Sequence, residues 1–230
     1  YGRLALPELL DRLCEIEGLR WIRLLYCYPD YITDELLETV ARREKVAKYI
    51  DLPLQHVSER VLKAMNRRGG RESISALIRR MREKIPGLTL RTTLITGFPG
   101  ETERDFEELC EFVRDTRFER LGCFSYSQEE GTPAASLPGQ IDEETKRRRM
   151  ELIMEQQMSI MQETGEAQVG RTLPVLVEGF DQKERCWFGR SERDAPEIDG
   201  EVFLTAPGKK PEIGDFARVK ITCCEDCDLM

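Results

Sequence analysis

The residues that could do chemistry lie in four short segments, and each segment follows directly after a run of β-branched or apolar residues. The segments are 26–30, 51–56, 96–102 and 124–132. The preceding runs predict β-strands at 20–26, 48–53, 88–96 and 120–126. In repeated strand–helix units the functional groups collect at the carboxyl ends of the parallel strands. The sequence therefore predicts one ligand pocket along that edge.

The turn after the third predicted strand is the most informative segment. Gly97, Pro99 and Gly100 permit a tight turn and a close approach of the backbone to a ligand. Glu101 precedes Thr102, which has the features of a helix N-cap. The Gly-Lys-Ser/Thr ending of a phosphate loop is absent. The turn is therefore a candidate ligand contact, with an ordinary strand-to-helix turn as the alternative.

His56 is the only histidine, and it follows the second predicted strand beside Gln55. It fits a proton-transfer group or a polar ligand contact, and a hydrogen-bonded structural histidine is the alternative. One histidine excludes a three-histidine metal site. The single Cys-x-x-Cys, from Cys224 to Cys227, lacks a second pair, so we predict no metal ligands in this chain.

The order of elements predicts an α/β fold in two parts. Helices are expected between the strands at 33–43, 58–65, 71–84 and 102–117, and a charged helix follows at 142–164. Four strands are too few for a complete eight-stranded barrel. Short strand candidates then occur at 172–178, 186–190, 201–204 and 216–222. We predict a partial parallel (β/α) barrel with its linking helix over 1–167 and a small antiparallel β-barrel over 168–230.

Composition restricts the class of protein. The 230 residues carry a net charge of −8, which argues against the broad basic surface of a nucleic-acid binder. No apolar run approaches the roughly 20 residues of a membrane-spanning helix. Eight cysteines in a chain without a signal pattern predict reduced thiols in the cytoplasm. The first residue is Tyr1 rather than Met, which favours a fragment.

Several strings resemble the methylthiotransferases of the radical S-adenosylmethionine (SAM) superfamily. They are Leu6-Pro7-Glu8-Leu9-Leu10, Asp51-Leu52-Pro53-Leu54-Gln55-His56, Arg91-Thr92 with Gly97-Phe98-Pro99-Gly100-Glu101-Thr102, and Tyr126-Ser127 with Glu130-Gly131-Thr132. The closing segment, with Asp194-Ala195-Pro196-Glu197-Ile198-Asp199-Gly200, resembles a TRAM domain. That string is most similar to the branch that modifies ribosomal protein uS12, rather than to the tRNA-modifying branch.

The resemblance implies a transferase that adds a methylthio group to the β-carbon of an aspartate in uS12. It implies S-adenosylmethionine and two 4Fe–4S clusters, one of them held by Cys-x3-Cys-x2-Cys. No three cysteines of this chain have that spacing, so the chain is expected to be inactive alone. The expected cofactor contacts, chosen by their position after the strands, are Gln55, His56, Gly97, Pro99, Gly100, Glu101, Phe124 and Tyr126.

Charge bears on the choice of substrate. Residues 168–230 contain 9 Lys and Arg against 13 Asp and Glu, a net charge of −4. A basic ribosomal protein fits this part better than RNA, whose phosphates need cations. The expected substrate contacts are Glu192, Asp194, Glu197 and Asp199. A tRNA methylthiotransferase, a binding module alone and an unrelated strand–helix enzyme are the alternatives.

Overall fold

The computed structural model of the chain describes residues 2–206, 210–225 and 227–230. Its first half is built on a four-stranded parallel sheet in the order β1-β2-β3-β4. The strands are β1 (Ile22–Leu24), β2 (Val46–Asp51), β3 (Thr89–Thr96) and β4 (Arg120–Ser125). Thr96 pairs with Ser125, so β3 and β4 end at the same edge, which we call the rim.

Five helices alternate with these strands and cover one face of the sheet, which we call the helix face. They are α1 (Leu6–Cys14), α2 (Asp34–Arg42), α3 (Glu59–Ala64), α4 (Arg71–Lys84) and α5 (Glu103–Thr116). Their apolar residues recur at helical spacing and join one core that includes Leu37, Ile78 and Phe112. Right-handed crossovers between parallel strands explain why the helices share a face.

The second face of the sheet receives residues 191–199, which we call the acidic loop, and we name this side the loop face. In β2, Val46 and Ile50 belong to the helix-side core, whereas Ala47 and Tyr49 pack with Ala195 of the acidic loop. Strand side chains alternate between the faces. The same alternation places further side chains on the loop face: Arg23, Asp51, Arg91, Arg120 and Phe124.

The longest helix, α6 (Glu143–Glu166), connects the two halves and has 24 residues. The Asp142 side chain caps its first turn by accepting the Thr145 N–H, and Ile153 and Ile160 join the helix-side core. Near its end, Gly165 lies against Cys224 of the second half. Among the described residues, α6 and the other helices include none that is long and apolar enough to cross a bilayer.

The second half is a six-stranded sheet in the order β8-β5-β6-β7-β10-β9. Its strands are β5 (Thr172–Asp181), β6 (Cys186–Ser191), β7 (Val202–Leu204), β8 (Phe216–Lys220), β9 (Cys224–Glu225) and β10 (Asp228–Leu229). Val175, Val202 and Ile221 form the centre of its small core. The predicted division at 167/168 falls in the connection between α6 and β5.

The structure differs from the sequence prediction in three elements. Helix α1 was not predicted, since it is only 9 residues long and its first residues include Pro7. Strands β9 and β10 were also missed, because two-residue strands carry no measurable alternation. The strand pairs of the second sheet are antiparallel, as expected, except that β10 pairs parallel with β7 through Leu229 and Val202.

We expect Gly165→Ala to lower the free energy of unfolding by about 1–3 kcal/mol, because an added Cβ would overpack the contact with the second half. That Cβ would lie 2.3 Å from the Cys224 Sγ. Within a helix, replacing glycine by alanine otherwise raises stability by up to about 1 kcal/mol. A loss of stability would therefore indicate the clash. Urea unfolding measures the change.

The control is the same substitution in a Cys224→Ala background, where the sulfur is removed. Gly165→Ala should then cost much less, because the nearest remaining atoms are the Cβ of residue 224 at 3.3 Å and Leu229 Cδ2 at 3.7 Å. An equal loss of stability in both backgrounds would show that the clash is not with Cys224.

Candidate functional site

The Gly97–Thr102 turn lies at the rim, directly after β3, and closes on itself. Gly97 has φ 75°, a left-handed conformation that favours glycine, and its N–H donates to Glu101 Oε2 at 2.9 Å. The Glu101 N–H donates to the Phe98 carbonyl at 2.9 Å. A Cβ on Gly97 would lie 2.3 Å from Lys146 Cγ of α6. The turn therefore needs glycine for its backbone and for the close approach of α6.

The Glu101 carboxylate is buried and holds the turn to two neighbouring elements. Its Oε1 accepts from Arg149 of α6 at 2.8 Å, and its Oε2 lies 3.4 Å from His56 Nε2. His56 is fully buried, and its Nδ1 accepts the Ser58 N–H at 3.0 Å. Because Nδ1 accepts, the ring N–H lies on Nε2, which has no hydrogen-bond partner among the described residues. The hydrogen bonds of Glu101 give it a role in shaping the turn.

Gln55 and Tyr126 bring polar atoms to the rim that have no hydrogen-bond partner among the described residues. Gln55 Oε1 and the Tyr126 hydroxyl are both buried in this way. Gln55 has φ 71° and bridges to Leu94, so the chain holds it in an uncommon conformation beside β3. The Tyr126 ring packs edge-on against Phe98, with centroids 5.2 Å apart. A buried polar atom without a partner calls for an explanation, and a ligand at the rim would supply one.

The remaining predicted contacts divide between the surface and the interior. Phe124 is 59% exposed on the loop face near the end of β4, as a stacking surface requires. Pro99 is buried within the turn, and Gly100 accepts the Arg60 guanidinium through its carbonyl at 2.8 Å. Tyr26, which follows β1 at the rim and is 78% exposed, was not chosen from sequence. The alternation of apolar and polar residues in the sequence gives no information on its positive φ of 58°.

Four predicted substrate contacts lie in the acidic loop, and the structure separates them into two pairs. Asp194 is buried and accepts from Arg120 of β4, while Asp199, with its side chain 4% exposed, accepts the Tyr49 hydroxyl at 2.6 Å. These two aspartates fasten the loop to the sheet, so their carboxylates are used inside the protein. The reason is that three arginines of the loop face need counter-charges.

Glu192 and Glu197 differ from those two aspartates. Glu197 is exposed, and Glu192 is half-buried with its carbonyl accepting from Arg23 at 2.7 Å. Both carboxylates remain predicted substrate contacts.

Buried ionisable groups on both faces of the sheet have shifted pKa values. Burial raises the pKa of Tyr49, and the neighbouring Asp199 carboxylate raises it further. Burial alone would lower the pKa of Arg120, but Asp194 outweighs this and raises it. Burial raises the pKa of the Cys27 thiol to about 11 and that of Cys123 to about 12. These groups therefore keep their protons at neutral pH.

Asp105 ties the start of α5 to the segment that carries His56. It accepts from Ser58 Oγ at 2.6 Å and from the Thr102 N–H at 2.8 Å, and Arg60 pairs with it. Burial alone would raise the pKa of Asp105, but hydrogen bonds from Ser58, Thr102 and Arg60 together hold it well below its ordinary range. The ionised Asp105 carboxylate therefore connects Thr102, at the end of the rim turn, to the segment that carries His56.

Comparison with known families fits this arrangement. Residues 2–113 match the family model described as the radical SAM superfamily, and residues 169–230 match the model described as the TRAM domain. The match to the radical SAM superfamily contains β1 to β3 and the Gly97–Thr102 turn. The match to the TRAM domain contains β5 to β10 and the acidic loop, and β4 and α6 lie between the two matches.

Curated relatives match the whole of this chain. The chain is 50% identical over 230 residues to the ribosomal protein uS12 methylthiotransferase RimO of Desulfitobacterium hafniense (strain Y51). It is 47% identical over 230 residues to the RimO protein of Geobacter sulfurreducens. Each comparison covers 100% of this chain and 51% of the relative, so the chain spans about half the length of the curated relatives it matches.

A solved structure supports the fold. Coproporphyrinogen III oxidase from Escherichia coli, a radical SAM enzyme, has a TM-score of 0.52 at 19% identity. The match covers 71% of this chain and 38% of that chain. At this identity the similarity shows the fold alone.

The superfamily implies SAM and a 4Fe–4S cluster, and the described residues fit only the first. The orphan atoms of Gln55 and Tyr126 and the exposed ring of Phe124 suit a ligand with polar groups and an aromatic base. For a cluster, the described part of the chain contains no group of three Cys, His, Asp or Glu able to hold a metal. The cysteine spacing agrees, because no Cys-x3-Cys-x2-Cys occurs in the sequence.

We expect Gly97→Ala to lower the free energy of unfolding by more than Gly131→Ala does. Both glycines have positive φ, 75° and 80°, so both substitutions carry a backbone strain of about 1 kcal/mol. Only the Gly97 Cβ would meet a neighbour, since nothing lies within 4 Å of a Cβ on Gly131. Urea midpoints measure the difference, and equal losses would contradict the close packing of α6 on the turn.

We expect Asp105→Asn to lower the free energy of unfolding by about 1–3 kcal/mol at pH 7, because the carboxylate accepts several hydrogen bonds. Its pKa is lower in the folded than in the unfolded chain, so this stabilisation is present above about pH 4 and is lost as the pH falls further. The difference between variant and parent, measured by urea unfolding, should therefore shrink below pH 4.

Asp115→Asn is the matched control. Asp115 pairs with Arg71, but its side chain is 62% exposed, so the substitution should change stability by less than about 0.5 kcal/mol. A difference at Asp105 that stays constant from pH 7 to pH 3 would show that its charge is not involved.

Proposed function

We propose that the chain is part of a methylthiotransferase that modifies the β-carbon of an aspartate in ribosomal protein uS12. The observation that carries the proposal is the identity of between 47% and 50% to RimO proteins over the whole chain. Because the identity extends through the TRAM domain, the relationship is not limited to a widespread barrel fold. Fold alone would not support a substrate.

The rim residues have distinct roles in this proposal. When bound, SAM supplies the radical chemistry of the superfamily. Phe124 offers an apolar face beside an adenine, and Gln55 Oε1 and the Tyr126 hydroxyl offer hydrogen bonds. The turn set by Gly97 and Glu101, with His56 behind it, gives this edge its shape rather than a direct contact.

The clusters and the location belong to the same proposal. The whole protein would use two 4Fe–4S clusters, and the family's cluster motif is not formed by the cysteines of this chain. The substrate is a ribosomal protein, so the reaction would take place in the cytoplasm. Cys27 and Cys123 are held as thiols by burial, which makes them poor cluster ligands where they stand.

The TRAM domain would dock uS12 through charge. Residues 168–230 carry a net charge of −4, and Glu192 and Glu197 remain candidates for contact with a basic partner. Asp194 and Asp199 would support this docking indirectly, by holding the acidic loop against the sheet. Complementary charge accelerates association and disfavours an RNA partner.

We expect the purified protein to bind uS12 more tightly than a tRNA anticodon stem-loop. Fluorescence anisotropy titrations at two salt concentrations test this, because affinity for phosphates falls steeply with salt. Tight binding of the stem-loop, with no binding of uS12, would contradict the proposal and favour a tRNA methylthiotransferase.

Glu197→Lys should weaken uS12 binding by about tenfold if the exposed acidic loop contacts the basic protein. Glu151→Lys is the control, because Glu151 is exposed on α6 and the substitution changes the net charge equally. Equal weakening by both variants would mean that only the overall charge of the protein matters. Unchanged binding by Glu197→Lys would remove the acidic loop from the interface.

A further inference from the structure

The turn after β1 holds an exposed aromatic side chain in a strained backbone conformation. Tyr26 has φ 58° and is 78% exposed at the rim. A non-glycine residue in the left-handed region is uncommon, and such residues persist where the surroundings determine them strongly. Here the Tyr26 N–H donates to Asp51 Oδ2 at 3.0 Å, and the Cys27 N–H donates to the Asp51 carbonyl at 2.9 Å. Asp51 therefore holds this turn.

Asp51 is in turn held by a cation of the loop face. Its side chain is 3% exposed, and its Oδ1 accepts from Arg91 Nη1 at 3.0 Å. The same Arg91 Nη1 lies 3.2 Å from Thr93 Oγ1, which helps to orient the guanidinium. Because the pair is almost fully removed from water, the position of Arg91 strongly affects the position of Asp51.

The other end of Arg91 faces the TRAM domain. Arg91 Nε lies 3.7 Å from Asp199 Oδ1, while Asp199 Oδ2 accepts the Tyr49 hydroxyl at 2.6 Å and the Ala195 N–H at 2.8 Å. Asp199 is therefore fixed by its own loop and by β2, and its Oδ1 faces Arg91 at 3.7 Å and Arg120 Nε at 4.0 Å. A continuous series of contacts leads from the acidic loop to the rim.

We propose that the TRAM domain positions the Tyr26 turn, with Asp199 acting through Arg91 and Asp51. Asp199 is a positioning residue, since it lies away from the rim and works through two other side chains. The docking of the acidic loop and the shape of the rim are thus coupled. The coupling depends only on contacts within the protein. The identity of any ligand that contacts Tyr26 rests on the proposed function.

Asp194 provides a matched control within the same loop. It is 2% exposed, it accepts from Arg120 Nη2, and its Oδ2 accepts the Ser191 hydroxyl at 2.6 Å. Like Asp199, it fastens the loop to the sheet, and it shares Arg120 with Asp199. Loss of either charge loosens the loop, but of the two aspartates Asp199 is the one that pairs with Arg91.

Hydrogen exchange with mass spectrometry on the full protein, without any ligand, tests the coupling. We expect Asp199→Asn and Asp51→Asn to accelerate exchange in a peptide spanning residues 25–28 by about tenfold. Asp194→Asn should leave that peptide within about twofold of the parent. A peptide from α5 (Glu103–Thr116) must exchange at the parental rate in each variant, which reports an intact global fold.

Two results would overturn the proposal. One is parental exchange at residues 25–28 in Asp199→Asn while Asp51→Asn accelerates it. The other is equal acceleration by Asp194→Asn and Asp199→Asn, which would reduce the effect to general loosening of the loop. Should Asp199→Asn fail the α5 criterion, Arg91→Lys replaces it, because lysine keeps the charge and loses the fork that joins the two aspartates. Failure of SAM or uS12 binding would leave the coupling untouched.

Discussion

The burial of charge between the parallel sheet and the acidic loop is the constraint on which the rest of the structure depends. Arg23, Arg91 and Arg120 come from three different strands, and without partners their burial would cost several kcal/mol each. Asp194 and Asp199 supply the compensating charges from the TRAM domain. Separating the parallel sheet from the TRAM domain would leave unpaired charges on both surfaces. These ion pairs therefore hold the two domains together.

The rim shows how a turn can be prepared for a ligand by groups that do not touch it. Both carboxylate oxygens of Glu101 accept hydrogen bonds from groups of the protein, and His56 is fully buried next to Glu101. Unused capacity for contact remains at Gln55 Oε1, His56 Nε2 and the Tyr126 hydroxyl, and the Phe124 ring is exposed. Such a division is expected where precise geometry matters, since side chains that are locked by packing hold a site better than mobile ones.

The sequence predicted β1 to β8, the rim and the family, because alternation and turn residues are local signals. It placed Gly97 and Glu101 at the rim, but their contacts with Lys146 and Arg149, 48 or more residues later, could not be predicted from local signals. The acidic loop was the larger surprise. In sequence its carboxylates are equivalent, and only the tertiary fold separates buried Asp194 from exposed Glu197.

Helix α6 has a consequence for how such proteins can change in evolution. Lys146 near its start packs on the rim turn and Gly165 near its end packs on the TRAM domain, so the helix is a spacer of fixed length and phase. One inserted residue would rotate the Gly165 side of the helix by about 100° and advance it by about 1.5 Å. A small insertion in α6 would therefore disrupt these two contacts more through the rotation of the helix than through its lengthening. Insertions in the exposed loops would not change the relative orientation of the two contacts.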